Sequence, residues 1–456
     1  MSELPAPKKN VIWIFGDQHR AQAMGYAGDP NVFTPNLDNK AETGLAFSGA
    51  VGGCPLCCPF RGSLLSGRYP HHAVPGHEYP LDPALPTVAT AFNAHGYRTS
   101  YFGKWHVDGW KEHDGRAGKH IIARERRGGF TDWLGYENNN AQSDCWVHGH
   151  LGEEEVELYR LPGYETDDLT DLLLNYIRER GEERARDPQS SPFFAALSVQ
   201  PPHDPYVAPA SFMQNHNVGG IEFRPNVPEI PWVREQAGRE LAGYYAMIEN
   251  LDWNVGRVDA ALKAAGLDRD THIIFFSDHG DMHGSHGQFR KTSPWEESIR
   301  VPCVIFGSGD TRYSGKGGHR LHAAPLNHVD YAPTSLGLCG LPVPDWMQGH
   351  DYSHLRLWGK QPVQSDPDSA FLQLVAPSRH ADSTDRPWRG LVTTDGWKYV
   401  CLEHQPFMLF NLNEDPYELV NHAHNRAYRT ERRHLQDRLA QWIADTGDTF
   451  PLPVDI

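Results

Sequence analysis

Four short polar segments carry most of the side chains able to do acid, base or metal chemistry. They are Gly16-Asp17-Gln18, Gly103-Lys104-Trp105-His106, Gln200-Pro201-Pro202-His203 and Ser277-Asp278-His279-Gly280-Asp281, and each follows an apolar run of strand length. Asp17, Gln18, Asp278 and His279 make an oxygen-rich set with one imidazole. Carboxylate and amide oxygens suit a hard divalent cation, Ca²⁺ first with Mg²⁺ as an alternative. The imidazole nitrogen brings in Mn²⁺ as well. A rival set, His279, His283 and His286, suggests zinc but has neither a thiolate nor a helical i, i+4 pair. Lys104, His106, His203, Lys291 and Arg61 add cations and proton carriers. Such a pocket expects a multiply oxygenated anion, a sulfate or phosphate ester. Lysine neutralises a nonbridging oxygen, and histidine protonates a leaving oxygen.

The segment from Cys54 to Gly67 is the most informative in the chain. Pro59 suits the first turn of a helix and Gly67 its close, which puts Cys57 at the N-terminus, where the dipole favours negative charge. Cys54-x-x-Cys57 also has redox-pair spacing, although nothing around it resembles a thioredoxin unit.

These residues need a scaffold. Val11–Phe15, Thr99–Phe102, Phe193–Val199, His272–Phe276 and Val301–Phe306 read as buried strands. Helical spacing joins Leu169, Leu172, Leu173, Tyr176 and Ile177. It also joins Leu241, Tyr244, Ile248, Leu251, Val255, Val258 and Leu262, a stretch that Gly266 can close. A shorter helix is expected within Pro86–Gly96. Strands alternating with helices predict an α/β fold, a large mixed, mostly parallel sheet flanked by helices. Residues 361–368 and 378–387 are polar. Beyond them Gly390–Thr394, Trp397–Leu402 and Phe407–Leu412 read as antiparallel hairpins, followed by a helix with Leu435, Leu439 and Trp442. The expected division is an α/β catalytic domain, 1–365, and a smaller C-terminal α+β domain, 366–456. In the larger one, the open ends of parallel strands form the ligand crevice.

Composition narrows the partners. A chain of 456 residues buries a core without disulfide staples. A formal net charge of −16 argues against nucleic acid or an anionic membrane as partner. Met1–Asn10 contains no apolar leader core, and no stretch of about 18 apolar residues appears. With seven cysteines, three of them crowded at Cys54, Cys57 and Cys58 and the other four scattered, these features fit a cytoplasmic protein with reduced thiols.

Cys57-x-Pro59-x-Arg61, followed by Gly62-Ser63-Leu64-Leu65-Ser66-Gly67-Arg68, resembles the signature of the type I sulfatases, in the alkaline phosphatase superfamily. Gly96-Tyr97-Arg98-Thr99 with Gly103-Lys104-Trp105-His106, Pro202-His203, and Ser277-Asp278-His279-Gly280 with Lys291 resemble further family segments in the same order. The likeness runs from residue 10 to about 425. Some positions differ. Gln18 stands where many sulfatases have an acid, and His279 where many have asparagine. Both features occur in the related phosphonate monoester hydrolases. Phe60, Cys58 and His77 also depart from the common pattern.

The resemblance implies that Cys57 is oxidised to formylglycine by a formylglycine-generating enzyme. The hydrated aldehyde is then the nucleophile, beside a divalent metal held by Asp17, Gln18, Asp278, His279 and residue 57. It implies charge neutralisation by Lys104, leaving-group protonation by His203 with Lys291, proton removal by His106, and a supporting role for Arg61. The expected substrate is a small sulfated organic molecule, a saccharide or aryl sulfate, with phosphonate monoester or phosphodiester hydrolysis as the alternative. His77, Trp105 and Arg290 are candidate substrate contacts, and Trp110, Trp146 and Tyr206 offer further aromatic surfaces.

Overall fold

A computed structural model describes residues 8–308, 321–378 and 386–454. Residues 1–7 of the polar N-terminal segment and most of the polar stretch 378–387 fall outside them. Ten strands form one sheet: β1 (Asn10–Gly16), β2 (Leu45–Phe47), β3 (Arg98–Lys104), β4 (Asp132–Tyr136), β5 (Trp146–Leu151), β6 (Glu154–Arg160), β7 (Phe193–Ser198), β8 (Thr271–Ser277), β9 (Cys303–Gly307) and β10 (Leu321–His322). Their order is β10-β2-β9-β8-β1-β7-β3-β4-β5-β6. The central five, from β8 to β4, are parallel. β9 runs antiparallel to β8, so the run at Val301–Phe306 joins the sheet in the sense opposite to the parallel one expected.

The central strands are apolar on both faces because both faces are covered. On one side Ile12, Ile14, Phe275 and Leu197 pack with Leu169, Leu173 and Ile177 of the helix Glu165–Arg186 and Leu251, Val255 and Val258 of the helix Pro231–Ala264. On the other, Trp13, Phe15, Phe194 and Phe276 pack with Phe60, Leu64 and Leu65 of the helix Cys57–Ser66 and with Tyr331 and Leu336. Burying a leucine or phenylalanine fully contributes about 1.5–3 kcal/mol, so each interface is a major source of stability.

Four further strands, β11 (Ser369–Leu374), β12 (Trp388–Thr393), β13 (Trp397–Leu402) and β14 (Gln405–Asn411), form an antiparallel sheet. One face rests on the helix Arg429–Thr446 through Tyr399, Leu409, Leu435 and Leu439. The other packs Ala370, Leu372 and Val400 against Val51, Cys54 and Leu56, the residues that lead into the helix at Cys57. The domain boundary we propose near residue 365 lies in the loop before β11. No helix among the described residues is long and apolar enough to cross a membrane.

Candidate active site

The parallel register decides which side chains meet. Gly16 at the end of β1 pairs with Ser277 at the end of β8, so Asp17 and Asp278 emerge side by side. Phe15 and Gly103 both pair with Ser198 of β7, which brings the end of β3, with Lys104, to the same rim. Arg61 fastens these ends. Its Nη1 donates to the Lys104 carbonyl at 2.6 Å and to Ser198 Oγ at 2.8 Å, and its Nη2 lies 3.3 Å from Asp17 Oδ2.

Cys57 opens the helix that faces this rim, and Gly67 closes it in the left-handed conformation at φ 66°. The Cys57 thiol lies 3.4 Å from Asp17 Oδ1, 3.3 Å from His279 Nε2 and 3.1 Å from Lys291 Nζ. Asp17, Cys57, Asp278 and His279 are all buried, with ligand atoms within 4.8 Å of one another. His279 Nδ1 donates to the Gly280 carbonyl at 2.9 Å. A neutral ring so fixed turns its Nε2 lone pair inward, 3.7 Å from Asp17 Oδ1 and 3.5 Å from Asp278 Oδ2. Asp278 Oδ1 accepts from the backbone amides of Gln18 and His279, both at 2.8 Å, whereas Oδ2 has no hydrogen-bond donor. Burial and the Asp17 carboxylate together raise the pKa of Asp278. An orphaned carboxylate oxygen, a second carboxylate and an inward lone pair form a donor set that a divalent cation satisfies, so the residues fit a metal.

Cations ring this cluster. Lys104 Nζ forms an ion pair with Asp17 Oδ2 at 2.7 Å, both side chains fully buried. Burial works against the Asp17 charge, but Lys104, Lys291 and Arg61 outweigh it and hold the carboxyl well below its usual range. Lys291 Nζ donates to Gln18 Oε1 and to His203 Nε2, each at 3.0 Å. His203 Nδ1 faces the Asp204 carbonyl at 2.7 Å, which fixes the tautomer with Nε2 as acceptor. Burial and Lys291 lower the His203 pKa, so the pair keeps its proton on lysine. His106 is held neutral by burial and by Lys104 and His77, and its Nδ1 has no partner.

Other candidates take different places. Gln18 sits beside the metal set with its oxygen turned to Lys291, while its Nε2 donates to Asp281 Oδ2 at 2.6 Å and to the Tyr206 hydroxyl at 3.1 Å. The zinc alternative is not assembled. His279 faces Cys57, His283 lies against Glu240 and Asp281, and His286 stacks on Trp295 at 3.8 Å. Cys54 points into the core under β11 rather than pairing with Cys57. Trp105 does not reach a substrate. It is 1% exposed and packs edge-on against Tyr101, Phe130 and Trp133, because the strand end turns its ring into the core. Arg290 gives its fork to Glu240 at 2.8 and 3.1 Å. His77 is near Cys58 and His106. Among the supports that sequence reasoning left unassigned are Ser198, Asp281 and Tyr206 as a hydrogen-bond partner. Asp281 carried a signal inside the string Ser277–Asp281, and Tyr206 stood out only as an aromatic surface.

Comparison with known proteins identifies the family. The sulfatase family model matches residues 9–341, and that of the C-terminal region of N-sulphoglucosamine sulphohydrolase matches residues 284–445. An ulvan-active sulfatase of Formosa agariphila is 32% identical, over 97% of this chain and 82% of its own. An endo-4-O-sulfatase of Bacteroides thetaiotaomicron is 27% identical, over 91% of this chain and 88% of its own. The fold is shared with the solved phosphonate monoester hydrolase of Agrobacterium radiobacter, at a TM-score of 0.74 and 24% identity over 96% of each chain. A family match over most of the chain, beside a relative aligned almost end to end, decides the assignment: the chain belongs to the sulfatase family and is a sulfuric ester hydrolase.

Proposed function

We propose that this enzyme hydrolyses a saccharide or aryl sulfate with a formylglycine made from Cys57 and one divalent cation, Ca²⁺ before Mn²⁺ or Mg²⁺. The observation that carries this reading is the convergence of Asp17, Asp278 and His279 on the Cys57 thiol, with Lys291 3.1 Å away on the same sulfur. When present, the formylglycine would supply a hydrated aldehyde as nucleophile, and the cation, which Asp17, Asp278 and His279 would hold with Gln18 beside them, would supply Lewis acidity that acidifies a hydroxyl. Lys104 and Lys291 bring two buried ammonium groups to one rim, which matches the charge of a sulfate group. The Lys291–His203 pair stores a proton beside the cluster and gives it to the alkoxide oxygen as the S–O bond breaks. His106, held neutral, accepts the proton released when sulfate departs. Arg61 keeps the three strand ends in register. The saccharide preference draws on the ulvan-active sulfatase and the endo-4-O-sulfatase among the relatives.

The test has two parts. Co-expression with a formylglycine-generating enzyme should convert the fragment ending at Arg61 from thiol to aldehyde mass. The matured enzyme should then turn over an aryl or saccharide sulfate faster than an aryl phosphonate monoester. Faster phosphonate turnover would favour the second reading, which rests on Gln18 and His279. His203→Ala should lower kcat/KM by about 10²–10⁴-fold for esters of poorly acidic alcohols, and much less for a nitrophenyl sulfate, whose leaving group needs no proton. Equal losses on both would remove His203 from that role.

A further inference from the structure

We propose that His350, His354 and Asp366 form a second metal site, for a transition-metal ion of the zinc class, separate from the catalytic cluster. All three offer ligand atoms within 4.8 Å of one another. His350 Nε2 lies 2.8 Å from Asp366 Oδ1, and His354 Nε2 lies 3.2 Å from Asp366 Oδ2. One carboxylate is thus faced by two imidazoles, each on its own oxygen. Two nitrogens and one carboxylate suit zinc better than calcium, whereas the catalytic set has two carboxylates.

The tautomers carry the argument. His354 Nδ1 lies 3.3 Å from the Asp351 carbonyl oxygen, which only accepts, so that nitrogen bears the hydrogen. In the neutral ring, Nε2 then presents a lone pair to a carboxylate oxygen. Two acceptors at this distance repel unless a proton or a metal ion sits between them, and the titration below distinguishes the two. His350 Nδ1 lies 3.1 Å from Gln364 Nε2; the two ends of that amide are interchangeable by a flip, and with its oxygen turned to the ring Nδ1 becomes the donor. In that orientation His350 Nε2, 2.8 Å from Asp366 Oδ1, presents a lone pair to the carboxylate as His354 does. Both rings are oriented by partners behind them, as zinc-bound histidines are.

The positions are held before any ion arrives. The His350 backbone amide donates to Asp330 Oδ1 at 2.7 Å, and its ring packs edge-on against Tyr352 at 4.6 Å. His354 lies in the 3₁₀ turn Ser353–Leu355. Their side chains are 5% and 7% exposed, while Asp366 is 32% exposed and leaves a route for an ion and a solvent ligand. Asp366 lies three residues before β11. A bound ion therefore clips the turn at 350–354 to the strand entering the four-stranded sheet, and its binding energy adds to the stability of the folded chain.

The test uses the full chain, stripped with chelator, dialysed into excess Ca²⁺ and titrated with zinc chloride. The wild type should bind one more zinc equivalent than His354→Ala or Asp366→Asn and gain thermal stability that neither variant gains. With Co²⁺ as the probe, a visible absorption band of an N/N/O site should appear in the wild type and be lost in both variants. Basal sulfate-ester turnover in Ca²⁺ should be unchanged by either substitution. Asp366→Asn is nearly isosteric at a part-exposed position, so it keeps the test open if His354→Ala fails to fold. Equal zinc uptake by wild type and Asp366→Asn, or a wild-type Tm that zinc leaves unmoved, overturns the site.

Discussion

Cys57→Ala should lower sulfate-ester turnover by about 10⁶-fold, the scale on which removal of a catalytic nucleophile acts. The fold should survive. The substitution removes one buried sulfur, a change comparable with losing a methylene, at about 1 kcal/mol. Circular dichroism and the urea midpoint check the second half, and a single-turnover assay checks the first. The neighbour is the internal control. Cys58 is also buried, and burial with the nearby Cys57 pushes its thiol pKa up, so it is a poor nucleophile. Cys58→Ala should therefore retain turnover. Wild-type rates in Cys57→Ala, or equal losses in both variants, would remove position 57 from the chemistry.

Asp17→Asn should damage both activity and stability. The Asp17 carboxylate faces Lys104 and Arg61, which are 0% and 1% exposed, and also the Cys57 thiol. Removing its charge leaves two buried cations short of their counter-ion, which costs about 3–5 kcal/mol in comparable cases. Affinity for the divalent cation should fall by more than about 100-fold, since even outer contacts of a metal site are worth 10–100-fold. The pH dependence gives an independent check. Because the Asp17 pKa is depressed in the fold, its contribution is present above the unfolded value of about 3.9 and disappears as pH falls through the folded value. The variant should lack that part of the acid-induced loss. Urea midpoints followed from pH 6 down to well below the unfolded value of about 3.9, and metal titration by calorimetry, read the two effects separately.

Much of this site was legible because its residues follow apolar runs. A parallel strand ends where its polar residue begins, so Asp17, Lys104, His203 and Asp278 declared themselves by position alone. The helix at Cys57 was legible for a different reason, since Pro59 and Gly67 mark its first turn and its close. What failed was direction. Trp105 shares a strand end with Lys104, but the pattern does not say that one side chain faces the crevice and the other the core. β11 was missed because Ser369–Leu374 is a single short run between polar segments, without a hairpin turn to announce it. The bond from Arg61 to Ser198 spans 137 residues and depends on register, which exists only once the sheet is formed. The three residues of the proposed zinc clip meet across loops, where no periodicity operates.

The four-stranded sheet has a consequence in time. Leu372 and Val400 bury Val51, Cys54 and Leu56, and the chain leads from there into a helix whose ten residues are all buried. The Gln373 amide also donates to the Gly53 carbonyl at 2.7 Å. Position 57 itself is 2% exposed. An enzyme that must grip the chain on both sides of Cys57 finds nothing to grip once β11 has docked. On the maturation proposed above, oxidation of that thiol and closure of the C-terminal sheet compete during synthesis, and their relative rates set the active fraction of a preparation. A slow-folding C-terminal region would widen the interval open to the maturing enzyme. A variant with a more stable, faster-docking sheet could be better folded and less active.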